Sequence, residues 1–234
     1  MTVLTRVNRD GVAWLELARP ESRNALSMEL LLALDRELAS IHNEPAIHAV
    51  VLSGSGTVFC AGADLKEFGP KPAAERSLAR VELIVAVLGQ LRTLAKPTIA
   101  AVNGAAIGAG WGLAMACDLC FTTEQAVYSI PELTKGLRLP EPILHRLIDI
   151  VGPMRATEIV FGGGLFTAQQ ALEWGWATRS FADRDLLTEH TWRFAADLAT
   201  RPRHSLAAVS HSLRRRSDSG QSSPYSHTRK RTNP

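Results

Sequence analysis

The period of the apolar positions changes repeatedly along the chain, and the changes mark elements. Val12 to Leu17 (VAWLEL) alternates as a half-buried strand does and stops at Arg19-Pro20. From Ser27, a residue type that caps helices, Leu30, Leu34, Leu38 and Ile41 share one helical face until Asn43 and Pro45 end the run. His48 to Ser53 (HAVVLS) is a β-branched run of the kind found in strands buried on both faces, followed by the turn GSG and a second short strand around Val58-Phe59. Lys71-Pro72 opens a helix in which Leu78, Val81, Val85, Leu88 and Leu91 keep helical spacing to Leu94. Pro97 to Val102 is a strand that runs straight into GAAIGAGWGLAMACD (Gly104 to Asp118), where GAAIGAG reads as a strand-to-helix turn and WGLAMAC as its helix. Strands follow near Leu119–Thr122 and Val127–Ile130. Strand, strand, helix recurs about three times, which predicts stacked units rather than a simple doubly wound sheet.

Beyond Pro131 the pattern is helical. Thr167-Ala168-Gln169-Gln170 has the form of a capping box, with its helix closing at Gly175, and a further helix spans Asp183 to Ala199 before Arg201-Pro202. SLRRRSDSGQSSPYSHTRKRTNP then loses its apolar residues almost completely and is expected to be a solvated, disordered tail.

A chain of 234 residues, 46% hydrophobic and 21% charged, has material for one substantial core and belongs to neither a disordered nor a fibrous class. The net charge of +3 is concentrated at the end: Arg201 to Pro234 hold eight Lys/Arg against one acid, which leaves the body net acidic. That distribution argues against a nucleic-acid-binding domain, which carries its basicity on a folded face. Cys60, Cys117 and Cys120 sit in apolar context and read as core residues; CDLC has the spacing of a metal pair but no second pair follows, so no metal site is expected. The start, MTVLTRVNRDG, has no apolar run behind its charges and no stretch is long enough for a membrane span, so a cytoplasmic protein without a membrane partner is expected.

Three places could carry chemistry. In FCAGADLKEF (Phe59 to Phe68) the small residues Ala61, Gly62 and Ala63 leave backbone N–H groups unobstructed, with Lys66 one turn further on; a tight surface turn would look the same. In the glycine-rich stretch, Gly108, Gly110 and Gly112 form G-x-G-x-G, not the dinucleotide G-x-G-x-x-G, and suit backbone donors aimed at an anion. In YSIPELTKG (Tyr128 to Gly136), Glu132 follows an apolar strand and a proline. It reads either as a partly desolvated general base or as a helix-start glutamate using the dipole.

In this order and spacing, these segments resemble the enoyl-CoA hydratase/isomerase (crotonase) family, as do RPESRNALSMELL and TAQQALEWGWA; the likeness runs to about Ala208. It implies an α/β fold: a crotonase-like spiral of repeated ββα units with a helical C-terminal region. The expected division is residues 1–190 for the core, 191–212 for a shortened C-terminal helical segment used in trimerisation, and 213–234 for a basic, disordered tail. It further implies an acyl-CoA thioester as partner, coenzyme A being part of the substrate with no separate cofactor, and assembly as a homotrimer or hexamer.

By the same resemblance, the backbone N–H groups of Ala63 and Ala109 would share the thioester oxygen, with Glu132 as the third catalytic residue. Arg23, Ala25, Ala61, Asp64, Leu65 and Lys66 would lie along the coenzyme, and Gly108, Gly110, Trp111 and Gly112 along the acyl turn. Trp111 either narrows the acyl tunnel or packs in the core. The family's hydratases carry a second glutamate where this chain has Gly112. A lone carboxylate suits removal of a proton from C2 and its return at C4, the Δ3,Δ2-enoyl-CoA isomerase reaction of fatty-acid metabolism, better than hydration, which uses two acid–base groups. Glu141 is either a substitute second carboxyl or a solvent-facing acid at the start of a helix. Rival expectations are a hydratase, a non-catalytic acyl-CoA binder, and an enzyme of thioester hydrolysis or C–C cleavage. Nucleic-acid binding through the tail ranks below these.

Overall fold

A computed structural model describes residues 2–68 and 74–218. The opening of a helix at Lys71-Pro72 and the chain from residue 219 lie outside the described residues.

The first two strands, β1 (Leu4–Arg9) and β2 (Val12–Leu17), form an antiparallel hairpin and lead to α1 (Met28–Asn43), where the Ser27 Oγ accepts from the Leu30 N–H as an N-cap. Then β3 (Ala49–Gly54), β4 (Val58–Cys60) and α2 (Ala74–Thr93) make one ββα unit, and β5 (Thr98–Val102), β6 (Ala105–Ile107) and α3 (Ala109–Met115) make the next. In the third, β7 (Leu119–Thr123) and β8 (Val127–Ser129) precede α4 (Glu141–Val151) and α5 (Pro153–Gly162). The chain closes with β9 (Phe166–Thr167), α6 (Ala168–Glu173), β10 (Arg179–Phe181), α7 (Arg184–Ala199) and α8 (Arg203–Asp218).

Each unit sends its first strand to one sheet and its second to another. The larger sheet runs β1-β2-β3-β5-β7-β10 and the smaller β4-β6-β8-β9, with β2-β3-β5-β7-β10 and β4-β6-β8 parallel. The chain therefore advances as a spiral, the α/β architecture expected. Both faces of the larger sheet are covered. Leu15, Leu17, Val50, Leu52, Ala100 and Val102 meet Leu30, Leu34 and Leu38 of α1 on one side, while Trp14, Val51, Ile99, Ala101 and Phe121 meet Leu187, Ala195 and Ala199 of α7 on the other. Double coverage is why every residue of β3 is apolar or small and buried.

Four expectations are corrected. GAAIGAG is not one turn: Ala105–Ile107 is a strand between β4 and β8, too short to show a period. The apolar face of α2 is rotated from the one expected, with Ile84, Val87, Leu88 and Leu91 buried and Leu78 (60% exposed) and Val81 outward. The inward position near its start is taken instead by Arg80, which bonds Asp64 O and Glu67 Oε2. A boundary at 190/191 cuts α7, whose Leu187, Thr191, Ala195 and Ala199 form one continuous buried face. Nor does a tail begin at 213: α8 continues to Asp218, and Arg214 is buried against Asp118.

Candidate active site

The site forms where the loop after β4 meets the turn between β6 and α3. Leu26 and Ala63 make an isolated parallel bridge, with Leu26 N–H donating to Gly62 O and Asp64 N–H to Leu26 O. In a parallel ladder this leaves the Ala63 N–H pointing away from Leu26. The loop is fixed from beneath: the Asp64 carboxylate, 6% exposed, is paired with Arg19 at 2.9 Å, and its carbonyl is held by Arg80. On the other side, Ala109 is the first residue of α3, so its N–H belongs to the helix's unpaired first turn. The two loops touch. A Cβ placed on Gly62 would lie 3.7 Å from Ala109 N and only 2.6 Å from Ile107 O.

Gly108 sets the turn. Its φ of 53° and ψ of −124° suit glycine, and a Cβ there would fall 2.2 Å from Glu132 Oε1. The glycine thus leaves the space that the carboxylate fills. Glu132 makes no side-chain cap to the one-turn helix it precedes, and its Oε2 is buried without a hydrogen-bond partner among the described residues. A helix-capping role does not account for it. Burial is the main cause that lifts its pKa above the usual 4.5, opposed by its own N–H, the Lys135 charge and the Ala109 N–H. The carboxylate lines one small cleft of about 50 Å³, which Ala109 abuts.

Of the expected site residues, Ala61, Ala63, Leu65, Gly108 and Glu132 line this cleft, and Ala109 abuts it. Arg23 and Ala25 stand behind the loop: Arg23 is exposed and its carbonyl accepts from Ala61 N–H, and Ala25 O accepts from Arg19. Lys66 is exposed, its N–H bonded to Asp64 Oδ1. Asp64 turns inward to Arg19 and is not free for a ligand, and Gly110 packs against Cys60. Trp111 is fully buried among Tyr128, Phe166 and Trp176, so it is a core residue and not an acyl contact. Glu141 faces solvent and pairs with Arg138 at 3.0 Å, which removes it as a substitute carboxyl. Ile107, Pro131, Lys135 and Leu137 also line the cleft and were not anticipated. Lys135 stood in the quoted YSIPELTKG, three residues after the glutamate, and that spacing was the available signal.

Gly112 lies one turn into α3, away from this cleft, and opens on a larger cavity of about 550 Å³ between α2, α3 and α4. Size alone would favour that cavity, but the buried Glu132 carboxyl and Ala63 line the smaller cleft, which Ala109 abuts. A Cβ on Gly112 would lie 2.6 Å from Ile143 Cδ1: the slot that a side chain would take is filled by isoleucine. Among the described residues no group of three or more His, Cys, Asp or Glu is arranged to hold a metal ion, and no helix is long and apolar enough to cross a membrane.

Residues 8–232 match the family profile described as Enoyl-CoA hydratase/isomerase. The chain belongs to that family. Its relatives include 4-chlorobenzoyl coenzyme A dehalogenase-2 of an Arthrobacter species, 35% identical over 87% of this chain and 75% of the relative. The 2,3-dehydroadipyl-CoA hydratase of Escherichia coli K12 is 36% identical over 92% of this chain and 82% of the relative. Among solved structures, an enoyl-CoA hydratase from Bacillus anthracis superposes with a TM-score of 0.87 at 29% identity, covering 91% of this chain and 82% of that one. Family membership makes an acyl-CoA enzyme the coarse assignment.

Proposed function

We propose that this enzyme shifts a double bond in an acyl-CoA thioester, a Δ3,Δ2-enoyl-CoA isomerase type of reaction, with Glu132 as the only proton carrier. The observation that supports it is the pairing of a desolvated, partly unpartnered Glu132 carboxyl with Gly112 and Ile143 at the other position. The thioester oxygen accepts from the Ala63 and Ala109 N–H groups, which become stronger donors as negative charge develops on it; one such donor is worth roughly 3 kcal/mol. Glu132 removes the proton from C2 and returns it to C4, and no water is activated. The coenzyme runs outward past Ala61, Leu65 and Lys66, and the acyl group continues toward the cavity beside Gly112, whose wall includes Val85 and Leu88.

The test is incubation with 3-enoyl-CoA thioesters of several chain lengths. A conjugated 2-enoyl product of unchanged mass supports the reading, and no turnover across the series overturns it. The name of the Escherichia coli relative favours a second reading, hydration, which adds the mass of water to a 2-enoyl substrate in the same assay. The position of Ile143 yields a sharper expectation. Gly112→Glu alone should lower isomerase activity, because the new side chain collides with Ile143, whereas Gly112→Glu with Ile143→Ala should gain measurable hydration. Equal behaviour of the two variants would show that Ile143 does not guard the slot.

A homotrimer or hexamer remains part of the proposal. Its support is an apolar strip on α5 and the loop after it, where Met154, Phe161 and Leu165 are 83%, 74% and 69% exposed. Met154 and Phe161 are two turns apart on one helical face, a pattern that a solvated monomer rarely presents. Phe161→Asp should shift the sedimentation coefficient toward the monomer; an unshifted oligomer would place its interface elsewhere.

A further inference from the structure

A cavity of about 450 Å³ opens between the C-terminal ends of α1 and α2 and the N-terminal end of α8, and it shares no lining residue with the cleft at Glu132. Its wall carries His42, His48, Lys96, Arg203 and His204 and no carboxylate. Five basic side chains around one concavity, with no acid among them, is an arrangement that ordinary surface statistics do not supply, since exposed charges of the two signs are usually interspersed.

These five side chains are built in to different depths. Lys96 is 5% exposed, and its ammonium donates to Ile41 O and, at 2.7 Å, to Glu44 O, which leaves one of its three donors for something else. His48 Nδ1 lies 2.7 Å from Ala199 O; a carbonyl can only accept, so Nδ1 carries a proton and Nε2 is left for another partner. Arg203 and His204 begin α8, a 16-residue helix whose positive end therefore faces the same space. The charges that bear on Lys96 from neighbouring elements are Glu44, already paired with Arg6, together with Arg6 and Arg203 themselves. Burial, and after it the Arg203 charge, push the Lys96 pKa down, opposed by Glu44.

We propose that this cavity binds a ligand carrying a di- or triphosphate group. Arg203 offers a planar fork to phosphate oxygens, Lys96 a buried point charge, and the helix start its free N–H groups. The remaining wall, including Ile47 and Leu206, is apolar and has room for a base or another flat group, and the volume lies in the range of small-molecule sites.

Titration calorimetry on the full chain tests it with ATP, inorganic triphosphate, adenosine and coenzyme A as probes. Saturable binding of ATP or triphosphate is expected, weakened at least about tenfold by the exposed double change Arg203→Glu with His204→Glu. Equal affinity for ATP and triphosphate identifies phosphate as the group read, and tighter ATP adds the apolar wall; both support the site. Adenosine binding as well as ATP, an unchanged affinity in the charge-reversed variant, or no heat up to millimolar ligand overturns it. So does displacement of ATP by coenzyme A with equal affinity, which would make the cavity part of the substrate site. Glu132→Gln should leave ATP binding untouched, so the proposal stands or falls independently of the isomerase reading.

Discussion

Glu132→Gln is expected to lower kcat for 3-enoyl-CoA isomerisation by roughly 10²–10⁴-fold, the usual worth of a positioned acid–base group, with little change in KM. Amide and carboxyl have the same shape, so the space left by Gly108 stays filled and the backbone donors at Ala63 and Ala109 keep their places. The wild-type pH profile should show an acid limb above the range of an exposed glutamate, because burial raises the Glu132 pKa from 4.5 and the reaction begins with the ionised form. The same shift has a stability consequence of opposite sign. A carboxyl whose folded pKa is raised binds its proton more tightly in the native state, so the fold loses stability as pH climbs from the ordinary carboxylate pKa through the raised one. Glu132→Gln should therefore raise the Tm at neutral pH, with the gain vanishing below about pH 4, where both states are protonated. A variant that keeps wild-type kcat would remove Glu132 from the mechanism, and one that melts lower at every pH would show a packing role instead.

This trade of stability for reactivity was half visible in the residues. Glu132 after Ile130-Pro131 pointed to a desolvated carboxyl, but a helix-start glutamate fitted the same letters; the distinction lies in the missing cap bond and in the contact with Gly108, both tertiary facts. The helix starts were the most legible features. Ser27, Thr167 and Asp183 each accept from the N–H three residues on, and Thr167 with Gln170 completes the capping box, because caps are local chemistry that needs no partner from elsewhere in the chain. Short strands were the least legible. β6, β9 and β10 are two or three residues long and exist because a neighbour supplies the ladder, while β1, at the sheet edge with Val7 exposed, shows no clean alternation. The face of α2 is hidden in the sequence for a related reason. Leu78 and Val81 continue the helical spacing but overhang the core, and Arg80 takes the inward position to hold the loop that carries Ala63.

Arg214→Met is expected to destabilise the fold by about 3 kcal/mol, a drop in Tm of roughly 6–12 °C for a chain of this size. In the sequence Arg214 opens the run RRR in a segment nearly bare of apolar residues, and composition reads such a run as solvated. In the fold its guanidinium is 7% exposed and forms a fork on Asp118, with Nε at 2.7 Å from Oδ1 and Nη2 at 2.5 Å from Oδ2, while also donating to Leu94 O and, at 3.1 Å, to Lys96 O. One side chain thereby ties α8 to the loop between α2 and β5 and to the residue just ahead of β7. Breaking such a pair costs more than the pair contributes, because it leaves a partly buried carboxylate behind. Asp118 keeps its bonds from the Thr98 N–H and hydroxyl at 2.8 and 2.9 Å, which holds the loss at the lower end of the usual range. Arg214→Lys should fall between the two, since an ammonium restores charge without the fork. Arg201→Met, which breaks only the exposed pair with Asp197, should change stability by no more than about 0.5 kcal/mol. Melting of Arg214→Met at the wild-type temperature would mean that α8 is not anchored through this residue. The same loss would follow a truncation after Ala208, which strips this buried arginine and takes from Asp118 its charged partner.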